Sequence, residues 1–120
     1  MRIKIQFQTF NDGICQICEA VNTAKKGNMP VRELQIKSGR VPYERRKVGI
    51  QRFYNAKQEG AEVELLIRVP QPFAVSTQDI CIVKGVQYGI YQTQDVLDTI
   101  PKAKDLSLKR LEEQYDVTKL

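Results

Sequence analysis

Histidine and tryptophan are absent from this chain of 120 residues, and cysteine occurs only three times. Without histidine there is no imidazole to act as general base or to complete a Ser-His or Cys-His pair. A structural zinc site needs about four ligands, and Cys15, Cys18 and Cys81 fall short of that. Three thiols, two close together and one distant, do not form a disulfide framework, so a reducing compartment is expected. Cys15-Gln-Ile-Cys18 has the spacing of a redox motif, but no βαβ unit surrounds it. On a strand, residues three apart point to opposite faces, so these thiols are read as small buried hydrophobes. No apolar run approaches the ~20 residues that cross a bilayer. Met1–Gln6 alternates charged and apolar residues where a signal peptide has a continuous apolar stretch. Also missing are the G-x-S-x-G elbow, the G-x-G-x-x-G phosphate loop and the acidic calcium loop. Asp95, Asp98, Glu112 and Glu113 stand in polar stretches without a metal-ligand pattern. No enzyme activity, cofactor, metal or membrane association is expected.

What is present reads as β structure. Val63, Leu65, Ile67 and Val69 alternate with Glu62, Glu64 and Arg68, the period of a half-buried strand, until Pro70 and Pro72 end it. Ile80–Val83 and Tyr88–Tyr91 flank Gly85-Val86, which has the Gly-X form of a tight hairpin turn. Ile3, Ile5 and Phe7 alternate with Lys4, Gln6 and Gln8, and Asn11-Asp12-Gly13 predicts a turn leading back through a strand over 14–21. Ile14, Ile17, Cys18 and Val21 also fit helical spacing; β-branched content and the preceding turn favour the strand. Segments 54–60 and 108–115 keep a helical alternative, the latter through Leu108, Leu111 and Tyr115. The expected fold is a single all-β domain over 1–120, a small barrel or sandwich of about six or seven strands, with 114–120 as a tail. A chain 42% hydrophobic buries roughly two-thirds of its unfolded surface at this size. Its core is expected from Ile5, Phe7, Val63, Leu65, Ile67, Ile80, Ile82, Tyr88 and Ile90.

Between the early and late strands the alternation dissolves. Lys25–Pro30 and Lys37–Pro42 are rich in turn residues and cations, so Asn22–Glu44 is expected to be a long flexible basic loop that orders on meeting a partner. Val41 would then contribute little to stability. Charge is divided unevenly: residues 1–57 carry 12 Lys/Arg against four Asp/Glu, whereas 58–120 carry seven against ten. Such a division suits a basic surface that tracks phosphate, one that meets an acidic protein face, or copies packed head to tail. The candidate partner-binding residues are Lys25, Lys26, Arg32, Lys37, Arg40, Arg45 and Arg46.

Several segments occur in a telling order. Arg45-Arg46-Lys47-Val48-Gly49-Ile50-Gln51-Arg52-Phe53-Tyr54-Asn55-Ala56 is followed by Glu64–Pro70, Asp79–Val83, Gln87–Ile90 and Asp105–Leu108. This basic-V-G-I-x-R-F-Y segment, L-I-R-x-P strand, D-I-x-V hairpin ending in Y-x-I, and late D-L-S-L strand resemble the head-closure (stopper, or head–tail joining) proteins of long-tailed phages and Gram-positive prophages. The likeness covers about residues 45–113 and rests on structural motifs. It implies a small β-barrel assembling into a homo-oligomeric ring in the virion neck, monomeric when isolated, with assembly in the bacterial cytoplasm. The implied partners are the portal–adaptor ring and the tail or a tail-completion protein. In this family a long loop reaches toward the channel, and Asn22–Glu44 is the matching segment. Cys15, Cys18 and the basic richness of that segment depart from the family pattern, and strong positive charge would grip DNA that must slide. Any DNA contact is therefore expected to be weak and nonspecific.

The alternative class is a nucleic-acid-binding β-barrel, with Arg52-Phe53-Tyr54 and Tyr88–Tyr91 as stacking candidates. Aromatics make up only 8% of the chain, and these sit in segments that read as core. Another neck or tail-completion protein is a third reading, differing in the surface that docks.

Overall fold

The computed structural model describes residues 6–22, 32–47 and 63–117. Among them are eight strands and no helix: β1 (Gln6–Phe7), β2 (Gly13–Asn22), β3 (Arg32–Arg46), β4 (Leu65–Pro70), β5 (Asp79–Val83), β6 (Val86–Val96), β7 (Thr99–Ile100) and β8 (Ala103–Arg110). Six of these close a barrel in the order β2-β3-β4-β8-β6-β5, and every neighbouring pair is antiparallel. The expected all-β barrel is what forms. Closure leaves no continuous open edge around the wall.

Alternating residues from all six strands fill the lumen: Cys15 and Ile17, Val41 and Tyr43, Leu65, Ile67 and Val69, Cys81 and Val83, Ile90, and Leu106 and Leu108. A second apolar cluster lies on the opposite parity of β2, β3 and β5, where Cys18, Leu34 and Ile80 are covered by Leu111 and Tyr115. Cys15 and Cys18 thus occupy different faces of β2, as their three-residue spacing dictates. The run Ile80-Cys81-Ile82-Val83 is apolar throughout because Cys81 and Val83 face the lumen while Ile80 and Ile82 face the second cluster.

Several expectations need correction. Arg32–Arg46 is a strand, which overturns the loop expected over Asn22–Glu44 from Arg32 onward; 23–31 lie outside the described residues. β3 carries two bulges against β2: Cys15 pairs with Val41, Ile17 with Ser38 and Cys18 with Ile36. Each extra residue reverses the facing, so the two together restore it. The alternation is hidden because the covered face changes along the strand: Leu34, on the even face, packs outside the lumen with Cys18, whereas Val41 and Tyr43, on the odd face, point into it. Pro42 is tolerated where β3 has yet to meet β4, whose pairing covers only Glu44–Arg46. Val41 is fully buried.

The partner of β2 is β3, with β1 placed elsewhere: it lies parallel to β7 at the far end of the β6–β8 ribbon, pairing Phe7 with Ile100. Phe7, expected in the core, is 86% exposed as a result. Ile5 and segment 54–60 lie outside the described residues. Val63, Leu65, Ile67, Ile80 and Ile90 are buried, whereas Ile82 and Tyr88 are half-buried. The β5–β6 turn is Lys84-Gly85, one residue earlier than expected; both have positive φ (51° and 78°), the requirement of a type I′ hairpin. Residues 103–110 are strand. The expected tail is fastened over 114–117: the buried Gln87 side chain donates to Tyr115 O and accepts from Tyr115 N, both at 2.7 Å, as a backbone strand neighbour would.

Candidate docking surface

The candidate cations are strung along one strand. Arg32, Lys37, Arg40, Arg45 and Arg46 all lie on β3 and are exposed; Lys25 and Lys26 lie outside the described residues. Fourteen steps of about 3.3 Å span roughly 45 Å, so Arg32 and Arg46 mark opposite ends of a line. Two of the five are held by acids. Lys37 Nζ reaches Asp79 Oδ2 at 2.7 Å, an oxygen that also accepts from Ser76 N at 2.9 Å. Arg46 Nη1 lies 3.1 Å from Glu44 Oε1. The Arg46–Glu44 pair is exposed and contributes little stability, whereas Asp79 is buried; both pairs fix where the positive charge points. Arg32, Arg40 and Arg45 make no ion pair with a described residue.

Glu44 belongs to a chain of contacts that anchors the start of the molecule to the barrel. Its Oε2 accepts from Gln8 Nε2, and Gln8 Oε1 accepts from Arg68 Nη1 at 3.0 Å. Arg68 in turn grips Asp105 with two bonds, Nε to Oδ1 at 2.7 Å and Nη2 to Oδ2 at 3.1 Å. The Asp105 hydrogen bond pushes the guanidinium further toward its charged form, against the opposing effect of burial. Arg68 and Asp105 sit opposite each other across β4 and β8. Their alternation with lumen residues made Arg68 look like an ordinary outward charge; the bidentate fork explains how it is buried.

At the Arg45 end the barrel opens into a cavity of about 370 Å³. Tyr43, Leu65, Val83 and Tyr88 wall it, and Arg45, Lys84, Asp12 and Glu64 stand around it. The backbone fixes this rim: Asp12 Oδ2 accepts from Arg45 N at 2.7 Å and Asp12 N donates to Tyr43 O at 2.9 Å. Gly13 makes the approach possible, since a Cβ there would lie 3.0 Å from the Tyr43 hydroxyl, and its φ of +147° disfavours side chains. Burial, with Cys15 and Asp12 nearby, raises the Tyr43 phenol above its ordinary range, so it stays a neutral donor. Arg46 and Lys47 line a neighbouring cavity that shares Arg45, Glu64 and Leu65 with this one. The arrangement offers an apolar hollow with two cations and two carboxylates at its lip.

Of the expected site residues, Arg45 stands at this mouth and Arg46 at the cavity beside it; Arg32 instead stands near Arg110 and Tyr115 at a separate shallow groove. Lys84, Asp12, Tyr43 and Glu64 were not singled out from the sequence. The turn signals Asn11-Asp12-Gly13 and Gly85-Val86 were legible there, but only barrel closure brings the two turns to one end. All three thiols are fully buried, and burial and Asp79 raise Cys18. The hydrogen bond that Cys81 donates to Cys15, then burial, raises Cys81 far above its ordinary value, and the same bond lowers Cys15. No protein-family model matches the chain, and no curated protein matches it.

Proposed function

We propose that this protein is a structural neck component of a long-tailed phage or prophage. In this reading copies form a ring between the portal–adaptor assembly and the tail, closing the DNA-filled head and presenting the tail attachment surface. The observation that carries it is the pairing of a closed antiparallel barrel with a line of cations on one long strand, in a chain whose ordered segments resemble head-closure proteins. A closed wall is a rigid frame for docking. The cations Arg32, Arg40 and Arg45, lacking internal ion pairs among the described residues, suit an acidic face on a neighbour.

The protein acts by docking, without turnover, in the virion neck, and its DNA contact is weak and nonspecific. Reversing charge at Arg45 and Arg46 (Arg45→Glu with Arg46→Glu) yields filled heads that leak DNA or fail to join tails, while the purified variant keeps its β dichroism. Tail joining at the normal level by that variant refutes the role of these residues. Nonspecific DNA affinity of the isolated protein is near ~10⁻⁴–10⁻⁶ M and falls steeply with salt. Nanomolar, sequence-selective binding at physiological salt instead establishes the nucleic-acid-binding alternative.

A further inference from the structure

The two ends of the barrel differ. Phe73 and Val75, in the connection from the end of β4 to the start of β5, pack against the lumen cluster and close one end. At the other end, where β4 begins at Leu65 and β5 finishes at Val83, the described side chains leave the hollow of about 370 Å³ open. Loose packing does not account for it, because Cys15, Ile67, Cys81 and Leu108 behind it are fully buried. Small-molecule sites occupy ~300–1,000 Å³, and the mouths of β-barrels are one of their usual places.

The lip carries charges of both signs. Arg45, Lys84, Asp12 and Glu64 are all exposed there. No cation of the lip forms an ion pair with a carboxylate of the lip, and none of the four pairs with another described residue. Asp12 is nevertheless fixed, since its Oδ2 accepts from Arg45 N at 2.7 Å. The Tyr43 phenol feels both Asp12 and Arg45, which sets a neutral hydroxyl beside charges of both signs. A ligand with a carboxylate alone is repelled by Asp12 and Glu64, and one with an ammonium alone by Arg45 and Lys84. Only a ligand carrying both groups leaves neither pair opposed. We propose that the mouth is a binding site for an apolar zwitterion of dipeptide size. Its carboxylate faces Arg45 and Lys84, its ammonium faces Asp12 and Glu64, and an aliphatic or aromatic side chain lies against Leu65, Val83 and Tyr88. A dipeptide holds its charged ends apart by a peptide unit, which suits lip charges that do not pair with one another; a free amino acid holds both on one carbon. This binding goes beyond the docking role and needs no second copy or neck partner.

The test titrates the isotope-labelled full chain with leucyl-phenylalanine, its N-acetyl form, its C-terminal amide, the doubly blocked form and free phenylalanine, following backbone amide resonances. The free dipeptide is expected to shift the amides of Asp12, Arg45, Gly85 and Val86, and to bind at least about tenfold more tightly than either singly blocked form. In the variant Arg45→Gln/Lys84→Gln, at two exposed positions, dichroism and urea midpoint are unchanged, and the free dipeptide and its amide bind alike. Equal affinity for the free and blocked forms, or no shift with millimolar free dipeptide, overturns the proposal. Tighter binding of the N-acetyl form than of the free dipeptide also overturns it, and marks the hollow as a receptor for a carboxylate on another protein chain. Phenylalanine binding as tightly as the dipeptide overturns the assignment of size. Each of these failures leaves the neck reading standing, since tail joining tests that separately.

Discussion

Replacing Val41 by Ala tests whether β3 belongs to the barrel wall. Val41 is fully buried in the lumen beside Cys15, its partner across the β2–β3 pairing. The change removes two buried carbons at ~0.8 kcal/mol each, and incomplete collapse adds a cavity contribution of up to ~1 kcal/mol. The expected loss is therefore ~2–3 kcal/mol. Ile67, equally buried on β4, loses three carbons as Ala and is expected to cost ~2–5 kcal/mol. In a mobile loop the Val41 change would stay within ~0.5 kcal/mol, the usual range for surface positions. Urea unfolding followed by far-ultraviolet dichroism separates the cases. With a slope of ~2 kcal/mol/M, the Val41→Ala midpoint falls by about 1 M at unchanged slope. A midpoint near wild type for Val41→Ala, alongside a large drop for Ile67→Ala, refutes the placement of β3.

Removing one member of the buried fork, Arg68→Met, is expected to cost ~3–5 kcal/mol by stranding Asp105, and the double variant Arg68→Met/Asp105→Leu recovers most of it; denaturant midpoints of both decide this. Gly13→Ala is expected to lose ~1–3 kcal/mol, because the new methyl meets the Tyr43 ring in a backbone conformation that side chains avoid, and a thermal melt unchanged from wild type contradicts it. Aromatic disulfide reagent at pH 8 is expected to leave Cys15, Cys18 and Cys81 unreacted in the native protein and to titrate all three in denaturant, since all are fully buried. Because burial holds the Cys18 thiol above its ordinary value, the stability it supplies is complete below the ordinary thiol value and lost as pH rises past ~9, which urea midpoints from pH 7 to 10.5 measure.

The strand most legible in the sequence keeps one lumen face along its length: Leu65, Ile67 and Val69 share one parity and all reach the lumen. β3 has as many apolar residues to offer, but Leu34 lies on the even face, covered outside the barrel, and Val41 and Tyr43 on the odd face, inside it. Read as one strand with a single buried face, that segment has none, and its Gly, Ser and Pro then count as loop chemistry. Ser38 and Gly39 lie at the two bulges against β2. Phe7 fails for a different reason. Its local alternation is sound, but a two-residue strand that pairs with β7 outside the barrel has no second layer to cover it. Burial depends on the layer lying opposite, and a period cannot report that.

Charge shows the same limit at the candidate site. The chain divides into a basic first part and an acidic second part, which reads as an invitation to head-to-tail electrostatic packing. Folding cancels part of that division internally. Lys37 from the basic part is taken by Asp79 from the acidic part, and Glu44 is drawn through Gln8 to the Arg68–Asp105 fork. The positive charge left for a partner is concentrated by geometry: Arg45 and Arg46 stand with Lys47 at one end of β3, and barrel closure adds Lys84. Arg45 and Lys84 stand there with Asp12 and Glu64, around a hollow walled by tyrosine and aliphatic side chains, and Arg46 and Lys47 line a neighbouring cavity. Rim charges of this kind set encounter rates and orientation more than the lifetime of a complex. Added salt should therefore slow assembly more than it dissociates assembled copies.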